Sequence, residues 1–184
     1  MGTIGKDFKY KIIKNFLTRE EIALLANYCR FRHINNIDSF DPSDPCYNTA
    51  YYSDELFESL SLSKKTIIEK ETNLKLLSTY SFWRMYTNKS YLEFHKDRDS
   101  CEISVSICIE SDGTKWPLIV EGKEINLNNG DAVIYLGREL LHGRNKFEGN
   151  FQSQCFLHYV NEQGKFSNLY LDGRAHPTQK NKLI

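Results

Sequence analysis

The stretch "FWRMYTNKSYLEFHKDR", residues 82–98, decides how the rest of the chain is read. Its first half is dominated by aromatic residues, the composition of a strand. It closes on an imidazole and a carboxylate two positions apart. In an extended segment residues i and i+2 project to one side, so His95 and Asp97 can reach one ion together while Lys96 points away. An H-x-D pair by itself is a weak signal, more often two surface groups than two ligands. A third ligand has to come from elsewhere, and His142 is the best placed: it follows the apolar run "DAVIYLG", far enough along the chain for several strands to lead back. Two imidazoles and a carboxylate on one face of an ion form the donor set of non-heme Fe(II) oxygenases, although Zn, Mn or Co suits the same donors.

Working outward, β-branched and aromatic residues at period two predict strands at Ser78–Tyr86, Ile103–Ile109, Leu118–Val120, Lys123–Leu127, Ala132–Leu136 and Gln152–Val160. The turn-forming runs "SDGTKWP", "EGKE" and "NNGD" separate several of them. Upstream, Thr18 with Glu21 makes a capping box before Ile22, Leu25, Ala26 and Cys29 at helical spacing. A Ser53 cap with Leu56, Phe57 and Leu60, then Ile67 and Ile68, predicts two further helices divided near Ser61–Ser63. Helices followed by short strands describe an α+β fold with a mainly β core, the helices bracing one sheet of an antiparallel sandwich or barrel. One domain over residues 1–184 is expected, with a helical lead-in to about 76, a core over about 77–160 and a polar tail over 161–184.

Lys plus Arg and Asp plus Glu number 24 each, so net charge favours neither nucleic acid nor an anionic membrane as a partner. The expected partner is a protein or small-molecule substrate. No run approaches the roughly 20 apolar residues of a membrane span, and the N-terminus lacks a signal-peptide pattern, which makes the cytoplasm the expected location. Five cysteines without a C-x-x-C pair argue for reduced thiols. Trp83 and Trp116 read as packing residues. Lys64 and Lys65 read as a solvated helix face.

From about Phe8 to Val160 the chain resembles the 2-oxoglutarate and Fe(II)-dependent dioxygenases, in the prolyl-4-hydroxylase-like branch of the double-stranded β-helix (jelly-roll, cupin-like) superfamily. Its pieces stand in family order: "KIIKNFLTREEI" as a lead-in strand and helix, the H-x-D segment, "SCEISVSICI", "LNNGDAVIYLG" and "LHGRNKFEG". The pattern H-x-D-R-x-S-C-E-I-S-V, with H-x-R later, is that of a bacterial and phage-type subgroup. The resemblance implies Fe(II) on His95, Asp97 and His142, with 2-oxoglutarate and O2 as co-substrates and ascorbate as an accessory reductant. It implies hydroxylation of an unactivated C–H bond on a protein side chain, proline included, or on a small metabolite, with release of succinate and CO2. In most of the superfamily an arginine about ten residues after the distal histidine holds the far carboxylate of 2-oxoglutarate. Gln152 stands there, and no Arg or Lys lies between Lys146 and Val160. Arg144 is the expected substitute, helped by Tyr86, Arg84 and Gln154. Arg98 and His158 are expected to bind substrate, Arg98 having Asp99 or Glu102 as the alternative of a plain salt bridge. Tyr86 and Cys155 are the side chains expected nearest the oxidant. The missing arginine favours one alternative, an inactive jelly-roll module that holds a metal or small acid as a sensor.

Overall fold

The computed structural model describes residues 4, 5, 7–35 and 48–174. In chain order the elements are β1 (Tyr10–Ile13), α1 (Arg19–Asn35), β2 (Thr49–Tyr52), α2 (Glu55–Thr72), β3 (Leu76–Thr87), β4 (Leu92–His95), β5 (Ile103–Ser111), β6 (Leu118–Val120), β7 (Lys123–Ile125), β8 (Ala132–Tyr135), β9 (His142–Arg144) and β10 (Phe151–Asn161). Tight 3-10 turns follow at Asp99–Cys101 and Ser167–Gly173. The strands form two antiparallel sheets, one in the order β1-β8-β5-β10-β3-β2 and one in the order β4-β9-β6-β7. This is the jelly-roll sandwich the strand pattern predicts.

Alternation along the central strands separates two environments. Trp83, Cys155 and Leu157 face the helices and belong to the main apolar core, where the Phe57 ring of α2 packs 5.8 Å from Trp83. Burying side chains of this size stabilises a fold by about 1.5–3 kcal/mol each. The opposite face of the same strands carries Tyr80, Arg84, Gln154 and His158, polar groups enclosed by the smaller sheet. Buried polarity on one face of a β sandwich is costly and marks where function displaced packing.

The capping box forms as read: Thr18 N donates to Glu21 Oε2 at 2.8 Å and Glu21 N to Thr18 Oγ1 at 3.2 Å. The second helical region departs from expectation in three ways. It is one helix, because Ser61 does not break it; its hydroxyl lies buried 2.6 Å from Ser78 Oγ and donates to Tyr159 OH. The cap is Asp54, which accepts from Leu56 N at 3.1 Å, while Ser53 takes a left-handed φ of 52° one residue earlier. Lys64 is no solvated residue: 7% exposed, it donates to Glu21 Oε2 at 2.7 Å and ties α2 to the first turn of α1. Strand β2 carries no period-two signal of its own, so pattern reading missed it. The four described cysteines are free and buried, and Cys46 and His176 lie outside the described residues.

Candidate metal centre

His95 ends β4 and His142 opens β9, and the two are register partners across the smaller sheet. Asp97 follows two residues after His95, its backbone N donating to Gly137 O at 2.9 Å. Asp97 Oδ1 lies 3.3 Å from His95 Nε2 and 3.5 Å from His142 Nε2. Such separations suit neighbouring donors around one ion with bonds of about 2.1 Å.

Hydrogen bonding fixes which atoms face inward. His95 Nδ1 lies 2.7 Å from Glu93 O and His142 Nδ1 2.9 Å from Leu140 O. A carbonyl only accepts, so both Nδ1 atoms donate, and in this orientation a neutral ring turns a bare Nε2 lone pair toward Asp97 Oδ1. Three electron-pair donors thus converge with no proton between them, an arrangement that a cation completes. Burial raises the Asp97 pKa, but the two imidazoles facing the carboxyl outweigh it and hold the group far below the ordinary carboxylate range.

The other Asp97 oxygen is held separately. Ser104 Oγ, on β5, donates to Asp97 Oδ2 at 2.8 Å and also lies 3.0 Å from His158 Nδ1. A hydroxyl has one proton; since Asp97 takes it, His158 Nδ1 must donate to Ser104. Burial pushes the His158 pKa down to about 4, which keeps the ring neutral at pH 7. Room for the carboxylate depends on Gly137, because a Cβ there would lie 2.1 Å from Asp97 Oδ2 and 2.3 Å from Ser104 Oγ. Asp97, Cys101 and His158 also cluster closely enough to share an ion. Burial pushes the Cys101 thiol up to about 12, so it stays protonated and is the poorer ligand set.

A cavity of about 320 Å³ opens on His95, Asp97 and His142, with His158, Arg98, Arg84 and Tyr86 also on its wall. Arg144 and Gln154 lie behind that wall. The Arg144 guanidinium is 2% exposed, donates through Nη1 to Trp116 O and lies 4.7 Å from that indole's centre, while its Nε lacks an acceptor. Burial lowers its pKa, and no carboxylate pairs with it among the described residues. Gln154 Oε1 accepts from Ser106 at 3.3 Å, and its Nε2 is likewise unpartnered. Gln152 instead lines a different, polar cavity with Asn128 and Asn129.

Two expectations are corrected here. The acid beside Arg98 is Asp172, at 2.6 Å, because Asp99 pairs with Arg138 and Glu102 accepts from Asn161 N. Cys155 sits on the helix-facing side of β10 and does not look into the cavity. Ser104, Gly137, Tyr135 and Asp172 escaped the sequence reading. Ser104 stands within the subgroup pattern and Tyr135 and Gly137 within "LNNGDAVIYLG", but neither motif singled them out; the Tyr135 ring meets His142 edge-on at 4.8 Å.

No family model and no curated protein matches the sequence. The fold is similar to that of a prolyl-4-hydroxylase from Pseudomonas putida, at 15% identity and a TM-score of 0.66, over 84% of this chain and 94% of that one. It is similar to the non-heme alpha ketoglutarate dependent epimerase SnoN from nogalamycin biosynthesis, at 10% identity and a TM-score of 0.69, over 83% and 78%. HygX from Streptomyces hygroscopicus, solved with nickel and 2-oxoglutarate bound, matches at 13% identity and a TM-score of 0.64, over 84% of each chain. At these identities the likeness is one of fold.

Proposed function

We propose that this chain is a 2-oxoglutarate- and O2-dependent Fe(II) oxygenase that hydroxylates a C–H bond of a protein side chain or small metabolite. The observation that carries the reading is the convergence of His95 Nε2, His142 Nε2 and Asp97 Oδ1, with both Nδ1–H groups locked onto backbone carbonyls. When bound, Fe(II) and 2-oxoglutarate would supply the electrons that activate O2 for attack on a C–H bond, the co-substrate being oxidised to succinate and CO2. The protein supplies positions and charges. Ser104 holds Asp97 so that Oδ1 faces the ion. The unpartnered Arg144 Nε and Gln154 Nε2 are donors for the far carboxylate of 2-oxoglutarate. A buried guanidinium without an acid is unfavourable until an anion arrives. Tyr86 and Arg84 complete the co-substrate side, while Arg98 and His158 face the substrate side.

Adding 2-oxoglutarate to anaerobic Fe(II)-loaded protein should raise a weak visible charge-transfer band in the parent and none in His142→Ala. Admitting O2 should then yield succinate. A missing band in the iron-loaded parent sinks the proposal. The second reading, a binding module without turnover, is favoured by the neutral Gln152 and wins if the band forms but no succinate follows. Among the described residues no helix is long and apolar enough to cross a membrane.

A further inference from the structure

We infer that Arg98 is the anchor for a carboxylate on the substrate, and that Asp172 is a built-in competitor for that anchor. The inference rests on the oxygenase reading for the identity of the substrate. Asp172 belongs to the C-terminal turn Ser167–Gly173, yet its carboxylate reaches the cavity rim. One oxygen, Oδ2, takes the Arg98 guanidinium at 2.6 Å and the Tyr52 hydroxyl at 2.5 Å. Arg98 and Tyr52 both belong to the cavity wall. The guanidinium also lies 4.5 Å from the Tyr80 ring centre, and Tyr80 stacks on Tyr52 at 5.0 Å. A guanidinium flattened on an aromatic face with hydroxyls beside it is a receptor for a planar oxyanion.

The turn that fills this receptor is poorly suited to stay. Leu171, Asp172 and Gly173 follow one another at φ of 51°, 57° and 69°, left-handed backbone that two of these three residues rarely adopt. Strain of this kind gathers at segments that switch. Arg174 pins the far end, donating to Thr79 O at 2.9 Å and Glu58 Oε2 at 3.1 Å, so the turn can swing without release of the chain beyond it.

The receptor's place sets the substrate class. Arg98 lines the same cavity as His95, Asp97 and His142, so a carboxylate held by Arg98 shares that cavity with the candidate ligands. Phe82, Phe156 and Leu92 line it with apolar surface. These features describe a small carboxylic acid with an apolar body, amino-acid-sized.

The test uses butyrate against butyramide on full-length protein saturated anaerobically with Fe(II) and 2-oxoglutarate, which keeps butyrate out of the co-substrate position. In the parent, butyrate and not butyramide should speed amide hydrogen exchange across residues 167–173. Asp172→Asn should bind butyrate about fivefold more tightly, the scale of removing one exposed ion pair. Arg98→Gln should abolish both responses. Equal responses to acid and amide, or an Arg98→Gln protein that behaves as the parent, overturn the anchor. The charge-transfer band is read in each sample before butyrate is added. If no band forms, the oxygenase reading fails on its own, and the exchange data still decide the anchor.

Discussion

At the scale of single residues, the centre depends on groups that never touch the ion. Ser104 gives its one proton to Asp97 Oδ2, leaving Oδ1 to face the two histidines. Removing a partner of this kind costs about 10–100-fold in metal affinity. Ser104→Ala should therefore weaken Fe(II) binding by that factor with an unchanged melting profile, and Ser104→Thr should restore most of it. Equal affinity in Ser104→Ala would reduce the hydroxyl to a space-filler. Gly137→Ala should be harsher, since its methyl would stand where the Asp97 carboxylate is. The expected result is a folded protein without the 2-oxoglutarate band. Both residues stand in motifs that carry the resemblance, but their roles were not legible there: Ser104 looks like any small polar residue of a strand, and Gly137 like the end of one. Their roles exist only once β5 and the β8–β9 connection lie against Asp97.

At the scale of elements, reading succeeded where periodicity was carried by burial on one face. Leu118–Val120 matched to the residue, and the long strands were placed to within two residues at each end. It failed where a local signal was overruled by a tertiary contact. Ser61–Ser63 looked like a break, but the buried contact of Ser61 with Ser78 and Tyr159 keeps α2 continuous. Gly130–Asp131 was read as a structural turn, and Asp131 shows why it holds: its carboxylate accepts from Asn128 N and Asn15 N at 3.0 Å each and from Lys14 Nζ at 2.8 Å. It thus joins the start of β8 to the chain after β1. Burial raises the Asp131 pKa, but the Lys14 and backbone hydrogen bonds win and lower it below 3.8. Its stabilisation is complete above the unfolded-state pKa and is lost as pH falls through the depressed folded-state value. Asp131→Asn should cost about 1.5–3 kcal/mol at pH 7, the worth of charge-assisted hydrogen bonds, in urea unfolding. As pH falls through the depressed folded-state pKa of Asp131 the gap between parent and variant should close; a constant gap would assign the loss to shape instead of charge.

At the scale of the whole molecule, the sandwich gives one face of its central strands to a packed core and the other to a polar chamber, and the second weakens the fold in order to bind. Arg144 makes the trade measurable. Its position two residues after His142 was enough to nominate it, but its isolation from any acid among the described residues could be seen only when the sheets were closed around it. A buried cation without a carboxylate destabilises, and replacement by an apolar side chain of similar length often stabilises by about 1–4 kcal/mol. Arg144→Met should therefore melt higher than the parent when neither metal nor co-substrate is added. A ligand at 100 times its Kd adds about 2.7 kcal/mol to the parent's stability. In Arg144→Met the gain from 2-oxoglutarate should vanish while the gain from metal alone persists. Melting scans of both proteins with metal, with 2-oxoglutarate and with both would read the crossover. If Arg144→Met is less stable than the parent in every condition, the guanidinium is a packing element, and the far carboxylate of 2-oxoglutarate must be held by Arg84 and Tyr86.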